Sequence, residues 1–251
     1  MGLNFLHIAL GFEFPFAQSF ELRVTLRGID RLSRHIPSQA PPVSPSILHS
    51  IVNGYDADPN AIAFSCAFLF AFFLFARISN IVPPSVRSFC ADKHLCRGDI
   101  RFTSFGLLVT FQWSKTRQFG DRLFSLPLVS MPHSLLCPVR MFKRMVSALP
   151  AAPDSPAFVF RSADQSLLPI TKSLFVQVFR QRLQAGGIPN AQLFRGHSFR
   201  HGGTNYAFRL GLPGEVIQVF GDWKSEAYKV YLEIGMSAKL QVASAMASHC
   251  T

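Results

Sequence analysis

HSFRHGGTNYAFRLGLPGEVIQVFGDWKSEAYKVY, residues 197–231, places an H-x-x-R pair, a Gly-Asp-Trp turn and two late tyrosines in a single stretch. His197 and Arg200 are three apart, so on a helix they share a face and can converge on one phosphate. Groups of this kind, in this order, suit attack on a phosphodiester better than any other chemistry. Gly202-Gly203 is not a phosphate loop, because neither G-x-x-x-x-G-K nor a strand-turn context surrounds it. His197 and His201 stand four apart, but no third ligand of suitable spacing accompanies them, so no metal site is expected.

The composition agrees with an anionic partner. The 251 residues carry 25 Lys+Arg against 14 Asp+Glu, a formal net charge of +11, and 18 of the 25 cations are arginine. Arginine forks onto phosphate with two donors where lysine offers a point charge. A polyanion, nucleic acid above all, is therefore the first partner to expect, with an anionic membrane surface second. Five cysteines at 66, 90, 96, 137 and 250, with no C-x-x-C, speak against a disulfide framework and a structural zinc site. A reducing intracellular compartment is expected. The opening MGLNFLHIALGFEFPFA lacks a basic n-region, and Glu13 breaks its apolar run, so it does not read as a signal peptide.

Upstream of 197–231 stands AIAFSCAFLFAFFLFA (61–76), without one charge. At about 1.5 Å per residue it reaches roughly 24 Å, short of a hydrocarbon layer of about 30 Å. It reads as a helix apolar on every side, the centre of a large core, and not as a membrane span. Arg77 follows it before the Pro83-Pro84 stop; there it favours the helix dipole, or is a cation held rigidly by the most buried helix. Before it, FELRVTLRGIDRL (20–32) reads as the last helix of a preceding module and 33–45 as a Ser- and Pro-rich linker. Ser44-Pro45 opens a helix to about Val52.

Between the apolar helix and the motif, Ile100–Phe102, Leu107–Gln112 and Arg122–Leu126 read as short strands with Gly106 and Gly120-Asp121 at the turns. Lys115 falls in the loop joining the second and third, where a lysine is most often a solvated charge. Helices are expected over 133–149, possible restart at Pro138, and over 171–187 with Thr171 as cap. In the latter Leu174, Phe175, Val178 and Leu183 face the core, and Arg180 and Arg182 point elsewhere.

Arg77 after an apolar helix, Lys115 in a hairpin, H-x-x-R at 197–200 and a late Trp and Tyr together resemble the tyrosine recombinase (phage integrase) family. The local wording (ARISNIVP, WSKTRQFGDR, HSFRHGGTNYAFRLGLP, GDWKSEAYKVYL) is most similar to recombinases of eukaryotic DIRS-like mobile elements, retrotransposons among them. The resemblance covers about residues 45–245. It implies an α+β, mostly α-helical catalytic domain with a small three-stranded antiparallel sheet, and DNA breaking and rejoining with neither metal nor nucleotide cofactor. It implies that Tyr231 attacks the scissile phosphate, leaving a 3′-phosphotyrosine and a 5′-hydroxyl. Arg77 and Arg200 would fork onto the non-bridging oxygens, Lys115 would protonate the leaving oxygen, and His197 would bond a phosphate oxygen or exchange a proton with the tyrosine. Trp223 would donate its indole N–H to the phosphate. Tyr228 competes with Tyr231, but Tyr231 lies nearer the family's usual interval after Trp223. Asn80 stands where the family commonly has an acid, and Tyr206 and Tyr228 read as packing residues. Residues 1–44 are expected to be a truncated N-terminal remnant and linker, and 45–251 the catalytic domain. The resemblance further implies a nuclear protein that acts as a homo-oligomer, a tetramer on double-stranded DNA, with a C-terminal helix at about 237–248. The alternative is a catalytically inactive DNA-binding remnant.

Overall fold

In the apolar stretch the helix begins at Asp58, whose carboxylate accepts from the Ala61 amide at 2.7 Å, with Pro59 in the first helical position. A computed structural model describes residues 10–11, 19–32, 40–55, 57–112, 124–223, 225–232 and 240, and the backbone alone at 23, 27, 30–32 and 231. The chain forms two units, Met1–Gln39 and Ala40–Thr251. The first contains helix α1 (Phe20–Leu32), capped by Ser19 Oγ on the Leu22 amide at 3.1 Å. Everything that follows belongs to the second.

Its helices are α2 (Pro45–Val52), α3 (Pro59–Phe73), α4 (Ile78–Ile81), α5 (Pro138–Ala148), α6 (Lys172–Ala185), α7 (His197–Arg209) and α8 (Gly214–Phe220). Short 3-10 turns cover Val86–Ser88, Arg97–Asp99, Ala191–Leu193 and Glu226–Tyr231. Eleven consecutive residues of α3, Ile62 to Phe72, are buried. They meet α2, α5 and α7 on different sides, which is why this helix carries no polar face. No helix among the described residues is long and apolar enough to cross a membrane. Phe68 anchors the core, its ring 4.8 Å from Phe175, 5.7 Å from Phe179 and 5.4 Å from Phe199. Phe199 thereby seats the H-x-x-R helix on α3 within the motif itself. The Gly202-Gly203 pair lets α7 come closer still. A Cβ on Gly202 would lie 2.0 Å from the Val43 carbonyl oxygen and one on Gly203 2.2 Å from that of Phe72.

The three-stranded sheet is antiparallel in the order β1 (Ile100–Thr103), β2 (Gly106–Phe111), β3 (Phe124–Val129), with Val109 opposite both Ile100 and Leu126. The third strand runs to Val129, later than the sequence suggests, and includes Pro127. An edge strand can hold a proline because one of its sides donates no ladder hydrogen bond. A second sheet of β4 (Val159–Arg161) and β5 (Leu167–Pro169) was not expected. The Asn60 side chain fastens it to α3, donating to the Arg161 carbonyl at 2.8 Å and accepting its amide at 2.7 Å.

Two other expectations are corrected. Residues 133–137 are not helical: α5 starts at Pro138, whose missing N–H costs nothing in a first turn, with Cys137 as cap. Arg182 does not point away from the core. It is 4% exposed, donates to the carbonyls of Ile51 (2.9 Å) and Ala61 (2.9 Å) and to Ser65 Oγ (2.7 Å), and lies 3.9 Å above the Tyr55 ring. Burial draws its guanidinium down to about 10, still charged at neutral pH. Val178 is half-buried only.

Candidate active site

Arg77 is not part of the apolar helix. The chain leaves α3 by a left-handed residue, Phe75 (φ 46°), with the Phe75 amide on the Phe72 carbonyl at 3.3 Å and that of Ala76 on Ala71 at 3.2 Å. Arg77 then caps α4 with an extended backbone, and the Asn80 amide bonds its carbonyl at 2.8 Å. Arg77 is thus fixed at the start of α4 by its backbone, and its side chain is half-buried. Helix α8 ends in the same way. Asp222 is left-handed (φ 54°), its amide reaches Val219 at 3.2 Å, and that of Trp223 reaches Gln218 at 3.1 Å.

Arg200 joins these two ends. Its Nη1 donates to the Phe75 carbonyl and its Nη2 to the Gly221 carbonyl at 2.8 Å, and its guanidinium lies 3.6 Å above the Trp223 ring. The side chain is 3% exposed and Trp223 8%. One turn earlier on α7, His197 stands at the surface. Crowding by the chain, then the charges of Arg200, Lys172 and Arg77 in that order, lower its pKa from the ordinary value. The imidazole is thus neutral at pH 7, able both to accept and to donate a proton. Below about pH 6.5 the unfolded chain takes this proton before the folded one, so acidification through that range lowers stability. An NMR titration of the His197 ring is expected to show a midpoint below about 6.5, moving upward in Lys172→Gln; an unchanged midpoint would separate Lys172 from the site.

The two arginines, His197 and Trp223 expected from the sequence are thus brought together, Arg200 and Trp223 by contact and Arg77 through its charge on His197. The Arg200 donors named above serve carbonyls, so its role includes holding the site's backbone as well as any part on phosphate. Lys115 lies outside the described residues. Tyr231 closes the turn Glu226–Tyr231, which Ser225 Oγ caps through the Ala227 amide at 3.4 Å, and its side chain is also outside the description. Tyr228 is 4% exposed, its ring 6.1 Å from that of Trp223, and is committed to packing as expected. Tyr206 packs on Phe72, ring centroids 6.2 Å apart, yet is 38% exposed and lines an apolar groove between α3, α7 and α8. Asn80 Oδ1 is buried and accepts no hydrogen bond among the described residues. The neutral amide supplies no carboxylate at this place. His201 is turned from His197 toward the Ala40 carbonyl, 3.0 Å from Nδ1, and among the described residues no group of metal-ligating side chains gathers.

No protein-family model matches the chain, and no curated protein matches its sequence. Solved structures do. XerH site-specific recombinase, in a post-cleavage complex with a palindromic difH substrate, aligns with a TM-score of 0.58 at 12% identity over 81% of this chain and 52% of its own. XerA recombinase aligns at 0.57 and 14% identity over 97% and 80% of the two chains. The Tn1549 transposon integrase, in complex with circular-intermediate DNA, aligns at 0.53 and 14% identity over 84% and 67%. The fold is that of a tyrosine recombinase catalytic domain. The chain spans about half the length of the XerH recombinase it matches.

On this recombinase fold the sequence left one cation near His197 unnoticed, Lys172. Its signal was local. It is the first helical residue after the Thr171 cap, where the helix dipole disfavours a positive charge by about 0.3–1 kcal/mol. A charge kept against such a preference is a mark of functional sites.

Proposed function

We propose that the chain is a DNA recombinase that breaks and rejoins strands through a 3′-phosphotyrosine. One observation carries this reading: Arg200, one turn after His197, ties the exit from α3, two residues before Arg77, to the Gly221–Trp223 turn, and the charges of Arg200, Lys172 and Arg77 lower the pKa of His197. Such a cluster, with no acid supplied at Asn80, suits a phosphate that gains charge at its transition state. Tyr231 Oη attacks phosphorus and yields its proton to His197, and Lys115 supplies one to the departing 5′-oxygen. Rejoining runs the reverse course, and the covalent link retains the bond energy, so no nucleotide is consumed. The burial of Tyr228 supports Tyr231 as the nucleophile. The likeness to DNA-bound recombinases supports duplex DNA as the partner. The reading extends to a nuclear protein of a DIRS-like mobile element, acting as a tetramer on DNA.

The test uses a nicked duplex drawn by the chain itself from a random-sequence pool, so that the cleaved end diffuses away and traps the intermediate. The wild-type chain is expected to form a denaturation-resistant adduct with DNA, and Tyr231→Phe to form none. An adduct retained in Tyr231→Phe removes the nucleophile assignment. DNA binding with no wild-type adduct leaves a non-catalytic DNA-binding protein.

A further inference from the structure

Beside the cation cluster, and sharing Lys172 with it, a groove of about 650 Å³ runs along α6. Pro84 stands at its side, and Lys172, Ser173, Gln177, Arg180, Gln181 and Gln184 supply its polar lining. Lys172, Val176, Arg180 and Gln184 repeat every fourth residue, as do Ser173, Gln177 and Gln181, so two adjoining stripes of one helix face make its floor. Helix α6, KSLFVQVFRQRLQA, contains no acid. Every charge on this face is therefore positive, and its remaining polar groups are amides and a hydroxyl that can donate to phosphate oxygens.

The head of the groove is fixed to the site. The Lys172 amide bonds the Pro83 carbonyl at 2.9 Å, and Pro83 follows directly on the Arg77–Val82 segment. From the other side Gly196 sits so close to Ile78 that a Cβ would come within 2.5 Å of Cγ1, which brings the start of α7 against the same segment. Lys172, Arg77 and His197 thus belong to segments that meet at α4, consistent with the weight of Lys172 among the charges on His197. Two turns further, Arg180 is braced by Nε on the Phe194 carbonyl at 3.0 Å. Eight residues of helix set it about 12 Å from Lys172 along the axis.

We propose that this groove carries the sugar–phosphate backbone of the DNA strand next to the attacked phosphate, with Lys172 and Arg180 each neutralising one flanking phosphate. The proposal rests on the DNA-cleaving reading for its occupant and adds two contacts to it. Lys172 is exposed at the end of its helix, so its replacement leaves the core untouched.

Binding of a mixed-sequence duplex is measured against salt concentration for the wild type, Lys172→Gln, Lys172→Arg and Lys172→Gln/Arg180→Gln. Each lost phosphate contact is expected to reduce the slope of log K against log salt by about 0.9. The slope should therefore fall by about one in Lys172→Gln and by about two in the double variant, and return in Lys172→Arg. An unchanged slope in Lys172→Gln, or a fall that Lys172→Arg does not restore, overturns the proposal. The adduct assay on the same wild-type protein keeps the two readings apart. Adduct with an unchanged Lys172→Gln slope removes the groove alone, a reduced slope without adduct removes cleavage alone, and a wild type that binds no duplex removes both.

Discussion

Arg200→Lys is expected to lose stability and activity together. The guanidinium reaches two carbonyls at once, Phe75 on the exit from α3 and Gly221 on the exit from α8, and covers the face of Trp223. One ammonium cannot satisfy both acceptors in that geometry. At least one buried carbonyl is left unpaired, at about 1–3 kcal/mol, and the contact with the indole is weakened by about 0.5–2 kcal/mol. Both carbonyls lie beside a non-glycine residue in left-handed conformation, Phe75 or Asp222, and such residues persist only where surrounding contacts hold them. A total near 3 kcal/mol corresponds to a fall in Tm of about 6–12 °C for a domain of this size. Measured well below that Tm, the rate of adduct formation should drop by about 10³-fold, as for other arginines acting on a transferring phosphoryl group. A variant within 1 °C (roughly the error of such a scan) and about twofold of wild type would show that neither the double tie to the two carbonyls nor the forked geometry of Arg200 matters.

Gly221→Ala is expected to expel Trp223. The Gly221 backbone has φ −87°, which any residue adopts, so the effect is purely steric. A Cβ would lie 1.6 Å from Trp223 Cζ3 and 2.2 Å from Cε3. The ring has no room to yield, since Arg200 stands 3.6 Å above it and Tyr228 packs nearby. Displacing the indole costs about 3–5 kcal/mol, the range for removing a large aromatic from a core. It also takes Arg200 out of register. In a Trp113→Phe background the fluorescence of the remaining tryptophan should shift to the red, Tm should fall, and adduct should be lost. Emission unchanged from the parent would show that the ring finds another buried position and would remove Trp223 packing as the reason for the glycine.

Much of this was legible because it is local. The charge-free run 61–76 announces a helix buried on every side whatever surrounds it, and Ser44-Pro45 and Thr171 announce helix starts by their own hydrogen bonds. The H-x-x-R spacing predicts the shared face of His197 and Arg200 from helical geometry alone. Less legible was what depends on partners distant in sequence. Arg182 looks like a surface charge in QVFRQRLQ, and only carbonyls contributed by the end of α2 and the start of α3 explain its burial. The β4–β5 pair is too short to stand out from its loop, and Asn60, about a hundred residues away, holds it. Lys172 is one more basic residue until the Pro83 carbonyl brings α6 to the Arg77 segment.

Residue order alone determined the kind of fold and which side chains were candidates for the chemistry, because periodicity, capping and motif spacing act within a few residues of chain. Tertiary structure decided what each candidate is committed to. It turned Arg200 partly toward backbone carbonyls, buried Tyr228 beside Trp223, and left His197 neutral among three cations, Lys172 one of them. Burial, desolvation and charge are properties of neighbours in space, and segments as far apart as Arg77 and Trp223 become neighbours only once the core around Phe68 has formed.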